Sequence, residues 1–334
     1  MKRIALALSL SVCLAPMAAH AWGGSGHRMI GQAAMEALPA DLPAFLRTPK
    51  AAADVGELAR EPDRWKGAGK LHDQNRDPGH FVDLSDDGTI LGGPRLENLP
   101  TTRKDYEAAL KAAGTNSWDA GYLPYSIVET QQQLTKDFAY WRVTAAAERL
   151  ERNAGRRAWL KADRVRREYL ILTTLGHLSH YVGDGSQPLH VTIHYNGWGD
   201  FPNPEGYTTA RIHGPFESDF VAANIRMSDV RQAMPPLKPP VGPLESRISA
   251  YLIATGKLVI PLYQLEKQGG LRDADAQGKA FALAGLATGA GQFRDLIVEA
   301  WRASPKMTVG WPAISLADVE AGRVDAYLAL YSKD

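Results

Sequence analysis

The stretch Gly176–His190 constrains this chain more than any other, because ionisable side chains there follow a strongly apolar helical pattern. Tyr169, Leu170, Ile171, Leu172 and Leu175 make the preceding turns suited to burial, and an ionisable group on a buried face needs partners. His180 and Asp184 are four residues apart and share one helix face. Gly185 ends the helix, and Pro188 fixes a turn that brings His190 back towards it. Imidazole nitrogens and a carboxylate at this spacing suit zinc or another borderline divalent ion. The plainer alternative is a surface His–Asp pair followed by a loop histidine.

Helical periodicity runs through the rest of the chain. Met29, Ile30, Ala33, Ala34 and Leu38 form one apolar face, with Ser25 placed to cap its start. Ala51–Ala59 reads as a helix that Pro62 bends or ends, and residues 125–152 and 162–182 are the clearest helices. Residues 66–124, rich in Gly, Pro and Asn, read as a long loop-rich insertion, and residues 185–212 as a second irregular stretch. Beyond the prolines at 235–240, helices are expected over 244–268, 273–303 and 316–331. No run alternates as strands do, and no repeat is visible. The expected fold is all-α, a single mainly helical domain.

The first residues read as a secretory leader over 1–21. Lys2 and Arg3 precede an apolar stretch, and Ala19-His20-Ala21 is an A-x-A cleavage site. That stretch is too short to span a bilayer, which speaks against a permanent membrane anchor. Cleavage before Trp22 would remove the single cysteine, Cys13, and define a domain over 22–334, exported to the periplasm or beyond. An exported chain without disulfides needs another source of stability, and bound metal is one. The 38 basic and 37 acidic residues leave no basic excess of the kind that duplex-DNA binders usually carry. Bound cations can still attract phosphate into a small site.

Several weaker signals accompany the main one. His213 and Glu217 form another four-residue pair, open equally to a metal reading and to a helix start with an acid in its first turn. His27 follows Trp22 closely, and Asp63 and His80 flank an irregular loop; each alone could be an ordinary polar residue. His72 and His194 are loop histidines without an assigned role, His194 lying close enough to His190 to touch a substrate.

Taken together, Trp22 after the cleavage site, His27, Asp63, the His80-Phe-Val-Asp83 segment, His180, Asp184, His190 within G-D-x-x-Q-P-x-H, His213 and Glu217 form a pattern. It resembles the zinc-dependent single-strand-specific nucleases of the mung bean and fungal type (the S-one/P-one class). Their superfamily also contains bacterial zinc-dependent phospholipase C. The resemblance spans Trp22 to Glu217.

It implies three Zn2+ ions per chain. Asp63, His80, His180 and Asp184 would hold one; Trp22 through its terminal amine and carbonyl, His27 and bridging Asp184 a second; His190, His213 and Glu217 a third. It further implies an endonuclease acting on single-stranded DNA and RNA, with 3′-nucleotidase activity, by attack of zinc-activated water on phosphorus. Asp63 would orient that water, and Phe81 and Asp83 would bind the base, although ordinary core packing for Phe81 and a turn acid for Asp83 stay open. His177 receives no metal in the pattern and reads as structural.

Two departures bear on substrate. Glu217 stands where the nucleases generally have Asp and the phospholipases have Glu, and the stretch between His80 and His180 is unusually long. Phospholipid head groups are therefore the alternative substrate, and an exported, non-catalytic metal-binding protein is the alternative of another class. Oligomeric state is not legible in the sequence.

Overall fold

The computed structural model describes residues 22–272 and 275–331, so the leader expected over 1–21 lies outside the described residues, as does Asp273. The first half comprises helices α1 (Gly23–Glu36), α2 (Pro49–Leu58), α3 (Glu61–Arg64), α4 (Lys70–Arg76), α5 (Arg103–Ala112), α6 (Ser117–Ala120), α7 (Leu123–Leu150) and α8 (Ala154–Asp184). The second half comprises α9 (Val221–Asn224), α10 (Met227–Ala233), α11 (Leu244–Gly256), α12 (Val259–Lys267), α13 (Ala276–Ala303), α14 (Leu316–Glu320) and α15 (Ala326–Leu330). The all-α expectation holds, and among the described residues the strand content is one antiparallel pair, Thr308–Val309 with Ile314–Ser315, too short to read as alternation.

The long helices α7 and α8 pack against each other along their lengths, and α1, α2 and α13 close around the C-terminal part of α8. Side-chain caps start three of them. Thr48 Oγ1 accepts from Ala51 N ahead of α2, Asn153 caps α8, and Asp275 caps α13 through Gln277 N and Gly278 N. Leu134, Phe138, Ile171, Leu175, Phe293 and Leu296 are fully buried between α7, α8 and α13, each contributing about 1.5–3 kcal/mol of apolar burial. Close approach is bought with glycine at two points that matter for function. A Cβ on Gly183 would meet His27 Nδ1 at 2.9 Å, and one on Gly285 would meet Trp22 Cζ2 at 2.6 Å.

Several boundaries differ from expectation. The first helix starts at Gly23, before Ser25, which therefore lies inside it, and Trp22 takes the N-cap position. Residues 66–124 contain three helices, and Ile90, Leu96, Tyr106 and Leu110 insert fully into the main core. The insertion is thus part of the domain; its short elements, separated by glycines, hid the pattern. The helix expected over 244–268 breaks after Gly256. Pro261 cannot bond back to Lys257 and its ring crowds that carbonyl, so α12 starts afresh. Residues 244–267 are long and apolar enough to cross a membrane, but half of that window is buried inside the protein. The last helix divides in two around Gly322, which has φ +68°.

Candidate metal centre

Helix α8 delivers His180 and Asp184 on its last turns, both with no solvent exposure. The chain then turns through Gly185 and Ser186, and a short 3-10 turn, Pro188–His190, returns His190. Helix α1 brings His27, α3 brings Asp63, a 3-10 turn over Asp77–His80 brings His80, and a π-helical turn over Pro215–Phe220 brings Glu217 beside His213. A single helix presents these side chains no more than two at a time, so the site requires the fold.

Three buried groups result, in each of which one donor atom per residue lies within 4.8 Å of the others: His27, His180 and Asp184; Asp63, His80 and His180; and His190, His213 and Glu217. Asp184 Oδ1 lies 3.3 Å from His27 Nε2, and its Oδ2 lies 3.1 Å from His80 Nδ1 and 3.3 Å from His180 Nε2. Glu217 Oε2 is 2.9 Å from His213 Nε2 and 3.7 Å from His190 Nε2. His180 and Asp184 therefore join the first two groups, and the third stands apart.

The donor set fits metal on two counts. Nδ1 of His180 donates to the Ala59 carbonyl at 2.8 Å, and Nδ1 of His190 to the His80 carbonyl at 2.6 Å. A carbonyl can only accept, so each ring is fixed with its Nε2 turned into the cluster, the arrangement usual for ligating histidines. Secondly, both His27 nitrogens, Asp184 Oδ1, His213 Nδ1 and Glu217 Oε1 are buried without a hydrogen-bond partner. Each such atom costs about 1–3 kcal/mol unless something satisfies it, and a cation shared among carboxylates and imidazoles satisfies several of these atoms at once. The chain can hold three metal ions here.

Burial pushes the His80 imidazole down to about 3, helped by the Lys66 charge, and burial with the neighbouring His180 lowers His27. Both are neutral and ready to ligate. For His180 and His190 burial also lowers the pKa, but Asp184, joined by Asp63 at His180 and by Glu217 at His190, outweighs it and raises both above 6.5. Protons on these two rings, favoured by the neighbouring carboxylates, compete with a metal for the same nitrogens. Metal binding is therefore expected to release protons and to weaken as pH falls. Calorimetric titration in buffers of different ionisation enthalpy reads this directly, and pH-independent binding without proton release would contradict it.

A cavity of ≈ 570 Å³ opens over the cluster, reached by His80, His190 and His213 and walled by Phe81, Asp83 and Tyr195 among others. Phe81 and Asp83 thus line the cavity. Burial pushes the Asp83 carboxyl up to about 8, with His190 opposing and Asp119 adding to the rise. Trp22 is fully buried, and its indole donates to Ser186 Oγ at 2.8 Å, two residues beyond Asp184. This ties the start of the described chain to the turn between the metal-capable groups.

Some site residues were not legible in the sequence. Lys66 lines the cavity and pairs with Asp63 Oδ1 at 2.8 Å; burial lowers its pKa, but the charge of Asp63 more than compensates and raises it. The signal was its position three residues after Asp63. Gln187 Nε2 donates to Glu217 Oε2 at 3.2 Å while its own Oε1 holds Leu189 N at 2.7 Å, so it orients Glu217. His194 does not reach the cavity: it is buried, stacked on Trp198 at 3.8 Å, and bonded to the Trp198 carbonyl and Asp86. His177 packs edge-on to Trp65 and His72 pairs with Asp73, both apart from the three groups. No family model matches the chain, and no curated protein matches it.

Proposed function

We propose that this chain is an exported, zinc-dependent phosphodiesterase of the single-strand-specific nuclease type, cleaving single-stranded DNA and RNA and removing 3′-phosphates from nucleotides. The observation that carries this reading is the adjacency of three buried donor groups beneath one cavity whose wall combines an aromatic face with a carboxyl group. Asp63, His80, His180 and Asp184 would hold one ion, Trp22, His27 and Asp184 a second, and His190, His213 and Glu217 a third. Removal of the leader would free the Trp22 amine for this role. Its carbonyl already accepts from Gly26 N at 3.0 Å and keeps a second lone pair.

When bound, such ions supply a water of lowered pKa and positive charge against the phosphate. The side chains do the rest. Asp63 accepts a hydrogen bond from the attacking water and turns it towards phosphorus. Lys66, beside Asp63, sets an ammonium against a phosphate oxygen. Phe81 stacks on the base, an interaction worth about 1–3 kcal/mol, and Asp83 takes a hydrogen bond from an exocyclic amine. The near balance of acidic and basic residues fits a site whose positive charge comes from metal.

Phe81→Ala is expected to weaken nucleotide binding about tenfold, within the range of one lost base stack, and to leave the metal content unchanged. Loss of metal in that variant would make Phe81 structural instead. Phospholipase C activity is the second reading, favoured by Glu217 as the third group's carboxylate. Assay of the zinc-loaded protein on single-stranded DNA and on phosphatidylcholine separates the two: DNA cleavage is expected, and lipid turnover without it would overturn the proposal. Metal binding with neither activity would instead mark a non-catalytic metal-binding protein.

A further inference from the structure

The insertion over 66–124 has a second contribution to make, at the mouth of the cavity. Its last turn, α6, brings Trp118 and Asp119 to the cavity wall, and Tyr195 reaches the same space from the 185–212 stretch. Trp118 is 44 % exposed, a large apolar surface left in water although the turn beneath it is tightly held.

That turn is fixed from several directions. Asn116 Oδ1 accepts from Trp118 N at 2.9 Å and from Asp119 N at 3.2 Å, while its Nδ2 donates to Asp119 Oδ2 at 2.6 Å. Ala120 is fully buried and its carbonyl accepts from Asp83 N at 2.9 Å. Tyr106 donates to the Gly121 carbonyl at 2.7 Å, and Leu123 N to the Phe81 carbonyl at 3.0 Å. Phe81 lies so close to Gly121 that a Cβ there would meet the Phe81 ring at 2.7 Å. The turn carrying Trp118 is therefore bolted to the segment carrying Phe81, and the two aromatic side chains face one cavity from a shared rigid support.

We propose that Trp118 is a stacking platform for a second nucleobase, next along a single strand to the base held by Phe81. This rests on the phosphodiesterase reading above and deepens it by assigning the insertion to substrate binding. A rigid aromatic loses little freedom on binding and stacks on any base, which suits a substrate recognised by its backbone and unpaired bases. The alternative ligand for aromatic side chains beside carboxylates is a quaternary ammonium head. The ≈ 570 Å³ cavity, with aromatics contributed by three separate segments, is much larger than such a head and accommodates neighbouring nucleotides.

The test uses zinc-loaded protein carrying Trp118→Ala or Trp118→Phe and a single-stranded oligodeoxynucleotide, intact or with an abasic residue on either side of the cleaved phosphate. Trp118→Ala is expected to raise KM on the intact strand about 5- to 150-fold with kcat and zinc content unchanged. Trp118→Phe should restore most of the loss. At one flanking position, the abasic residue should cost the unaltered protein the same factor and cost Trp118→Ala nothing further. An unchanged KM in Trp118→Ala, with strands still cleaved, would overturn this proposal and leave the nuclease reading standing, as would an equal loss on every abasic strand. If the unaltered protein cleaves no strand but hydrolyses phosphatidylcholine, and Trp118→Ala impairs that, both fall and Trp118 belongs to a choline site.

Discussion

Replacing Asp184 by Asn is expected to strip metal from the two joined groups, lower Tm by about 5–8 °C and abolish phosphodiesterase activity. Asp184 has no solvent exposure and stands within 3.3 Å of His27 and His80, from two other parts of the chain, and of His180 on its own helix. Burial alone would raise its carboxyl pKa, but the charges of His180 and His190 outweigh this and hold it well below the usual carboxylate range. Its negative charge is thus what the surrounding donors and any bound cations are arranged around. Removing one partner of a buried charge cluster costs about 3–5 kcal/mol, which in a domain of this size corresponds to the stated shift in Tm. Metal analysis, thermal unfolding and an activity assay read the three effects separately. Full metal content with unchanged activity in Asp184→Asn would show that Asp184 does not link two ions.

Chelation should act still more broadly. Stripping metal leaves the orphaned atoms of His27, Asp184, His213 and Glu217 buried together, in a core that also contains His80, His180 and His190. Ions bound at a thousand times their dissociation constants stabilise by about 4 kcal/mol per site, so three such sites contribute more than most domains have in reserve. A chelator is therefore expected to lower Tm by more than 10 °C and to eliminate activity, and added zinc should restore both. A chelated protein that melts at the original temperature would contradict the idea that the cluster is built for metal.

The metal-capable residues were legible because their spacing has a local cause. His180 and Asp184 are neighbours through helix geometry, and Gly185 with Pro188 sets the turn to His190. His27, Asp63, His80, His213 and Glu217 were much weaker signals alone, since the contacts that unite them form between elements distant in the chain; the overall pattern singled them out. The sequence was least informative over 66–124. There the helices are short and the buried residues Ile90, Leu96, Tyr106 and Leu110 are too widely spaced for a periodic signal. Trp118 gave no signal in the sequence because its place on the cavity wall is set by the fold. Lys66 was hidden in a loop whose path only the fold determines. The false lead was His194, whose nearness to His190 in sequence does not carry into the cavity, because stacking on Trp198 and bonding to Asp86 turn it away.

On the reading proposed here, this chain assembles a three-metal centre from side chains of five or more separate segments. Anomalous diffraction at the zinc edge, on crystals of the zinc-loaded protein lacking residues 1–21, tests it most directly. Three peaks are predicted, two flanking Asp184 and one between His190, His213 and Glu217. Fewer than three peaks, or zinc bound away from these residues, would contradict it.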